Sequence, residues 1–208
     1  MSTTAQTHRL PTDTDDGMVL IISGPSGVGK TTITRGVERS IPDAVFSVSA
    51  TTRQRTPADV EGVDYHFVDD AEFERMRAAG ELLESAGVYG KKYGTPRAWV
   101  EEQRRRGRLV ILEIDVQGAI QVRRSIPDAL GLYILPPDEP TLLQRLRSRK
   151  REDEDGIRRR FEAAKKEIAD ARASGVYAHF LVNQEVRTTI DEAVRIILDE
   201  RARRRSKS

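Results

Sequence analysis

A chain of 208 residues is long enough for one good-sized core, and its 33% charged residues balance to a net charge of +2. The absence of cysteine excludes disulfides and thiolate metal sites, and the scattered His8, His66 and His179 argue against a histidine-ligated metal cluster. No apolar run approaches a membrane span and residues 1–16 lack a signal-peptide core, so a cytoplasmic protein without a membrane partner is expected.

Residues 1–16, rich in Thr, Ser and Asp without apolar periodicity, read as a disordered tail. The apolar run at 18–22 predicts a buried strand ending near Ser23. Directly after it stand Gly24-Pro25-Ser26-Gly27-Val28-Gly29-Lys30-Thr31, which satisfy the phosphate-loop pattern G-x-x-x-x-G-K-[ST] between a strand and a helix. Glycines let such a backbone curl so that successive N–H groups face a polyphosphate, and the helix that follows adds its partly positive N-terminus. In that pattern Lys30 reaches the β- and γ-phosphates and the Thr31 hydroxyl takes a place on Mg²⁺. Binding of a nucleoside triphosphate is expected.

The helix after the loop, 31–39, stops at Ser40-Ile41-Pro42. Alternation predicts a strand at 45–49, and another short one at 65–68. Asp69-Asp70 open a helix over 71–79 that Gly80 ends. A strand at 81–89 is followed by a turn at 91–96 and a helix at 99–106 that Gly107 ends. Further buried strands are expected at 109–114 and 130–135, with a helix at 117–124 between them. A basic amphipathic helix at 139–150, a break at 153–156, a long helix at 157–174, a short strand at 180–183 and a helix at 189–204 complete the chain. Strands alternating with helices predict an α/β fold, a parallel sheet with helices on both faces. The pattern falters over 50–96, which reads as an inserted substrate-binding lobe.

Several motifs in register carry a resemblance. They are the phosphate loop, Ser49-Ala50-Thr51-Thr52-Arg53, Glu61-Gly62-Val63-Asp64-Tyr65, Glu81-Leu82-Leu83-Glu84, Tyr93-Gly94-Thr95 and Glu113-Ile114-Asp115-Val116-Gln117-Gly118. With Arg145-Leu146-Arg147-Ser148-Arg149 and Val182-Asn183, they resemble the guanylate kinase family over residues 18–200. The resemblance implies the phosphate-loop nucleoside monophosphate kinase fold. Its core would comprise 17–49, 97–140 and 164–208, with a GMP-binding lobe at 50–96 and a mobile lid at 141–163. It implies transfer from ATP to GMP with Mg²⁺, dGMP as a further acceptor, and no nucleic-acid partner.

By resemblance, Gly24, Pro25, Ser26, Gly27, Val28, Gly29, Lys30, Thr31, Thr32 and Asn183 hold ATP, with Thr31 at the metal. Lys30, Arg149 and Arg160 act on the moving phosphoryl group, with Arg145 a further candidate. GMP falls to Ser49, Arg53, Arg55, Tyr65, Glu84, Tyr93, Thr95 and Asp115, with Glu84 facing the guanine. A carboxylate there suits the N1–H and amino group of guanine and repels the acceptor N1 of adenine. One of Glu113 and Asp115 is expected near the metal through water.

The chain departs from the family pattern in two places. Thr56 stands where a second phosphate-binding arginine is expected, and Arg55, one residue early, is assigned its task; Lys150 replaces the glycine that opens the usual lid. Other readings are a related kinase acting on a ribose bisphosphate, a non-catalytic scaffold module, and nucleic-acid binding through the basic tail 201–207. Against these stand the guanine-facing set, the intact Lys30 and Thr31, and the lack of a nucleic-acid motif.

Overall fold

The structure, a computed structural model, describes residues 17–88, 90–148 and 153–206. The tail expected at 1–16 and the candidate Arg149 lie outside the described residues.

Five parallel strands form the central sheet in the order β2-β7-β1-β8-β9. They are β1 (Met18–Ser23), β2 (Ala44–Phe46), β7 (Leu109–Glu113), β8 (Leu130–Leu135) and β9 (His179–Val182). The three inner strands read as continuous apolar runs because both faces are covered by helices. On one face Val19, Ile21, Val110, Leu112 and Tyr133 pack on Val100 of α3 (Arg97–Arg105), Val116, Ala119 and Val122 of α4 (Val116–Ser125), and Ala171 of α6 (Glu154–Ser174). The other face sets Leu20, Ile22, Ile111 and Leu132 against Ile33 and Val37 of α1 (Lys30–Ser40) and against Ala193 and Ile197 of α7 (Val186–Arg205).

A second sheet, ordered β4-β3-β6-β5, is built from β3 (Ala50–Thr51), β4 (His66–Phe67), β5 (Leu82–Val88) and β6 (Lys91–Pro96), with α2 (Asp70–Ala78) between β4 and β5. Two local expectations fail here. The turn expected at 91–96 is strand β6, antiparallel to β5, and the reversal happens earlier, where Gly90 takes φ 74°. Gly94 hid this strand; it packs closely on β5, where a Cβ would stand 2.8 Å from Leu82 Cδ1 and 3.1 Å from Glu84 O. The single strand expected at 45–49 divides, β2 ending at Phe46 in one sheet and β3 beginning at Ala50 in the other.

In the C-terminal third, the break expected at 153–156 is the start of α6. Asp153 caps it by accepting from Gly156 N–H at 2.8 Å, which satisfies first-turn amides and lets the helix begin at Glu154. Leu142 and Leu146 of α5 (Glu139–Ser148) pack on Ile157 and Ala164 of α6 as a small separate apolar cluster. The basic tail expected from 201 is helical through Arg205. Among the described residues, no helix is long and apolar enough to cross a membrane.

Arg201, at 5% exposure, donates to both carboxylate oxygens of Asp43, which also accepts from Leu109 N–H at 3.2 Å. This pair pins the end of α7 to the start of β7. Removing one member strands the other charge, so Arg201→Met is expected to lower stability by about 3–5 kcal/mol, read by urea denaturation.

Candidate functional site

The site assembles at the C-terminal ends of β1 and β7, where parallel sheets collect their ligands. The loop from Gly24 to Gly29 joins β1 to α1. Gly24, Gly27 and Gly29 take φ of 158°, 88° and 96°, of which the latter two are left-handed values open to glycine at little cost. Gly29 caps α1 with no side chain, so the first-turn amides of the helix remain available to an anion. Gly27 packs on α5, where its Cβ would stand 3.1 Å from Leu146 Cδ2.

One carbonyl of the loop is held from behind. Val28 O accepts from Asn183 Nδ2 at 2.7 Å and from Arg145 Nη1 at 3.4 Å, while Arg145 Nη2 donates to Asn183 O at 3.0 Å. Asn183 is buried at 2% exposure, so its amide serves the loop. The Lys30 ammonium folds back on the loop carbonyls of Gly24 and Pro25, at 2.5 and 3.2 Å. Arg160 of α6 donates to Ser26 Oγ.

A cavity of about 270 Å³ opens beside this loop. Its lining brings together nine of the residues singled out in the sequence: Gly24, Ser26, Lys30, Ser49, Tyr65, Glu84, Tyr93, Glu113 and Asp115. A smaller opening of about 210 Å³ is lined by Gly29, Lys30, Thr31, Thr32 and Glu113. Thr95 stands behind the first cavity, opposite Glu84 in the β5–β6 register, and its hydroxyl donates to Glu84 Oε1 at 2.7 Å. Arg53 lies beside it, its guanidinium 5.1 Å from the Tyr65 ring centroid. Arg55 is exposed and donates to the backbone oxygen of Asp59 at 3.1 Å; it does not line the cavity.

Thr31 Oγ1 donates to Glu113 Oε1 at 2.9 Å, whereas Glu113 Oε2 is buried with no hydrogen-bond partner among the described residues. A hydroxyl beside a carboxylate oxygen lacking a partner is a hard-oxygen pair suited to a small divalent cation. Asp115 instead caps α4, accepting from Gly118 N–H at 2.8 Å, and lines the cavity.

Sequence reasoning missed Tyr133, Glu167 and the use of Gly118. Tyr133 reads as core and Glu167 as the wet face of a polar helix, yet both line the cavity. No local signal separates them from ordinary core and surface residues. Gly118 is bare because a Cβ there would stand 2.4 Å from Glu84 Oε2.

Burial, with the nearby Asp115 carboxylate, pushes the Glu84 acid up to about 7, against the bond from Thr95 that favours its ionised form.

With this geometry in hand, the comparisons are specific. A family model described as "Guanylate kinase" matches residues 16–200. A guanylate kinase of Symbiobacterium thermophilum is 43% identical over 90% of this chain and 87% of its own length. One of Myxococcus xanthus is 42% identical over 90% of this chain and 89% of its own. Among solved structures, guanylate kinase from Anaplasma phagocytophilum superposes with a TM-score of 0.71 at 31% identity, covering 91% of this chain and 89% of that one.

Two outcomes follow from the geometry. The fold holds the Glu84 proton more tightly than an unfolded chain, so this group's contribution to ligand-free stability declines as pH rises from about 4.5 to above 7. A base bound through the ionised carboxylate shows the opposite trend, its affinity rising about tenfold from pH 6 to pH 8. Calorimetric titration checks this, and Glu84→Gln should flatten that limb. Asn183→Ala leaves Val28 O without its short buried bond, so a loss of about 1–3 kcal/mol in melting and weaker triphosphate binding are expected.

Proposed function

The chain belongs to the guanylate kinase family, and on that premise we propose how its own side chains divide the work of moving the γ-phosphoryl group of ATP to GMP, giving ADP and GDP. The observation that carries the assignment is one cavity lined at once by Ser26 and Lys30 of the phosphate loop and by the buried Glu84.

The acceptor is already an anion, so no strong general base is needed. The barrier falls through in-line placement and through cations that offset charge on the moving group. Loop amides from Gly24 to Thr32 hold the ATP phosphates. Lys30 exchanges the carbonyls of Gly24 and Pro25 for phosphate oxygens, which are stronger acceptors. Arg160, already at Ser26, supplies positive charge over the same loop, and Arg149 joins it by family resemblance. Asn183 and Arg145 hold the loop in shape through Val28 O.

On the acceptor side, Glu84 accepts from the N1–H and amino group of guanine, oriented by Thr95 and seated on Gly118. Ser49 and Asp115 face the same nucleoside. Arg53, Tyr65 and Tyr93 take the phosphate, the two rings 5.7 Å apart edge to face. Adenine in this pocket leaves a buried carboxylate unpaired, worth about 1–3 kcal/mol of discrimination.

The oxygens of Thr31 and Glu113 would hold Mg²⁺, which would supply positive charge to the nucleotide phosphates there. The balanced, cysteine-free composition is consistent with a cytoplasmic enzyme.

A coupled ADP-release assay with ATP tests the reading. Turnover is expected with GMP and dGMP and not with AMP, CMP or UMP. Lys30→Met should lower kcat by about two to three orders of magnitude. Glu84→Gln should raise KM for GMP about tenfold or more with KM for ATP unchanged. Equal turnover of AMP by the unaltered chain, or a Lys30→Met variant of full activity, would discard it.

A further inference from the structure

The family's second phosphate-binding arginine is replaced here by Thr56, and the hydrogen bonds of the 53–59 loop show what that threonine does instead. Asp59 accepts from Arg53 Nη1 at 3.0 Å and Nη2 at 2.8 Å, a two-toothed ion pair. The same carboxylate accepts from the Thr56 backbone N–H and from Thr56 Oγ1, both at 2.7 Å. Arg55 closes the loop from outside by donating to Asp59 O at 3.1 Å. Four donors converging on one carboxylate hold it well below the usual acid range, with the Arg53 bond the largest cause.

The geometry leaves a defined edge of Arg53 open. Of its five guanidinium N–H groups, Asp59 takes one on Nη1 and one on Nη2, and Gln54 O takes the other on Nη1 at 3.0 Å. Among the described residues, what remains is Nε–H and the second N–H of Nη2. These two point the same way along one side of the planar group, the pair that grips two oxygens of a phosphate at once. The guanidinium carbon lies over the Tyr65 ring at 5.1 Å from its centroid and over the Phe67 ring at 5.3 Å, so two aromatic rings also hold the charged group.

We propose that Asp59 is a positioning residue that orients Arg53 toward the phosphate of the acceptor nucleotide, and that Thr56 serves Asp59 in place of a second arginine. The inference rests on the reading of Arg53 as an acceptor-phosphate contact. In this chain one braced guanidinium replaces two, and Arg55, which the sequence assigned to the phosphate, belongs to the brace. Holding a long side chain in its working rotamer lowers the ordering entropy that binding would otherwise cost.

A rival role for Asp59 is competition, with its carboxylate occupying Arg53 until a phosphate displaces it. The two roles predict opposite signs. Calorimetric binding of GMP and of guanosine separates them without relying on turnover, since guanosine lacks the group that Arg53 would hold. As a brace, Asp59→Asn weakens GMP about tenfold or more while guanosine affinity stays within about twofold, and Asp59→Glu recovers part of the loss. Thr56→Val, which keeps the ion pair and drops one hydroxyl donor, weakens GMP in the same direction by about threefold. In turnover the loss falls on KM for GMP, with KM for ATP unaltered. Tighter GMP binding by Asp59→Asn, or equal loss for GMP and guanosine, overturns the proposal. Absence of GMP-dependent ADP release in the unaltered chain would instead discard the assigned activity, an outcome separate from either.

Discussion

The bond from Asn183 Nδ2 to Val28 O is the constraint on which the donor half of the site depends. A loop can aim its amides at an anion only if its carbonyls are turned elsewhere, and a carbonyl turned into the protein needs a donor. Asn183 supplies it from the end of β9, and Arg145 adds a second from the last turns of α5. Gly29 permits the approach, because a Cβ there would stand 2.9 Å from Asn183 Nδ2. Three elements far apart in sequence thus fix one peptide unit, and the curvature of the phosphate loop follows.

The acceptor half answers a different problem, a carboxylate that must discriminate while buried. Thr95 bonds one oxygen and Gly118 leaves room for the other, but burial still raises the acid to about 7. Burying an ionised carboxylate is costly unless it is paired, and under the function proposed above a base that cannot pair with Glu84 leaves that cost uncompensated. Tyr133 and Glu167 complete the wall from β8 and α6, so the cavity is shared by both sheets and by α6. A third arrangement stands in the 53–59 loop, where Asp59 takes one edge of the Arg53 guanidinium through two hydrogen bonds.

Particular residues show where sequence reading succeeded. The phosphate loop was legible because its chemistry is local: eight consecutive residues suffice to curl the backbone between a strand and a helix. The runs at 18–22, 109–114 and 130–135 were legible because strands covered on both faces must be apolar throughout. Strand β6 was not, since Gly94, Thr95 and Pro96 carry turn composition. It is a strand because its backbone pairs with both β3 and β5, a ladder that sets Thr95 opposite Glu84 and Gly94 against Leu82. Asp153 was read as part of a break because a cap and a break share the same residue types.

What the sequence by itself determined is therefore the fold class, the family and the strand–loop–helix arrangement around Gly24 to Thr31, all of which rest on neighbours in the chain or on the motifs of a known family. Tertiary structure alone decided which carbonyl Asn183 serves, that Glu113 rather than Asp115 stands beside Thr31, that Arg201 is a buried partner of Asp43, and that Thr56 and Arg55 join Asp59. Each of these is a contact between groups whose separation in space is set by packing or by the path of a loop, and hydrogen-bond geometry at about 3 Å cannot be read from residue type or spacing.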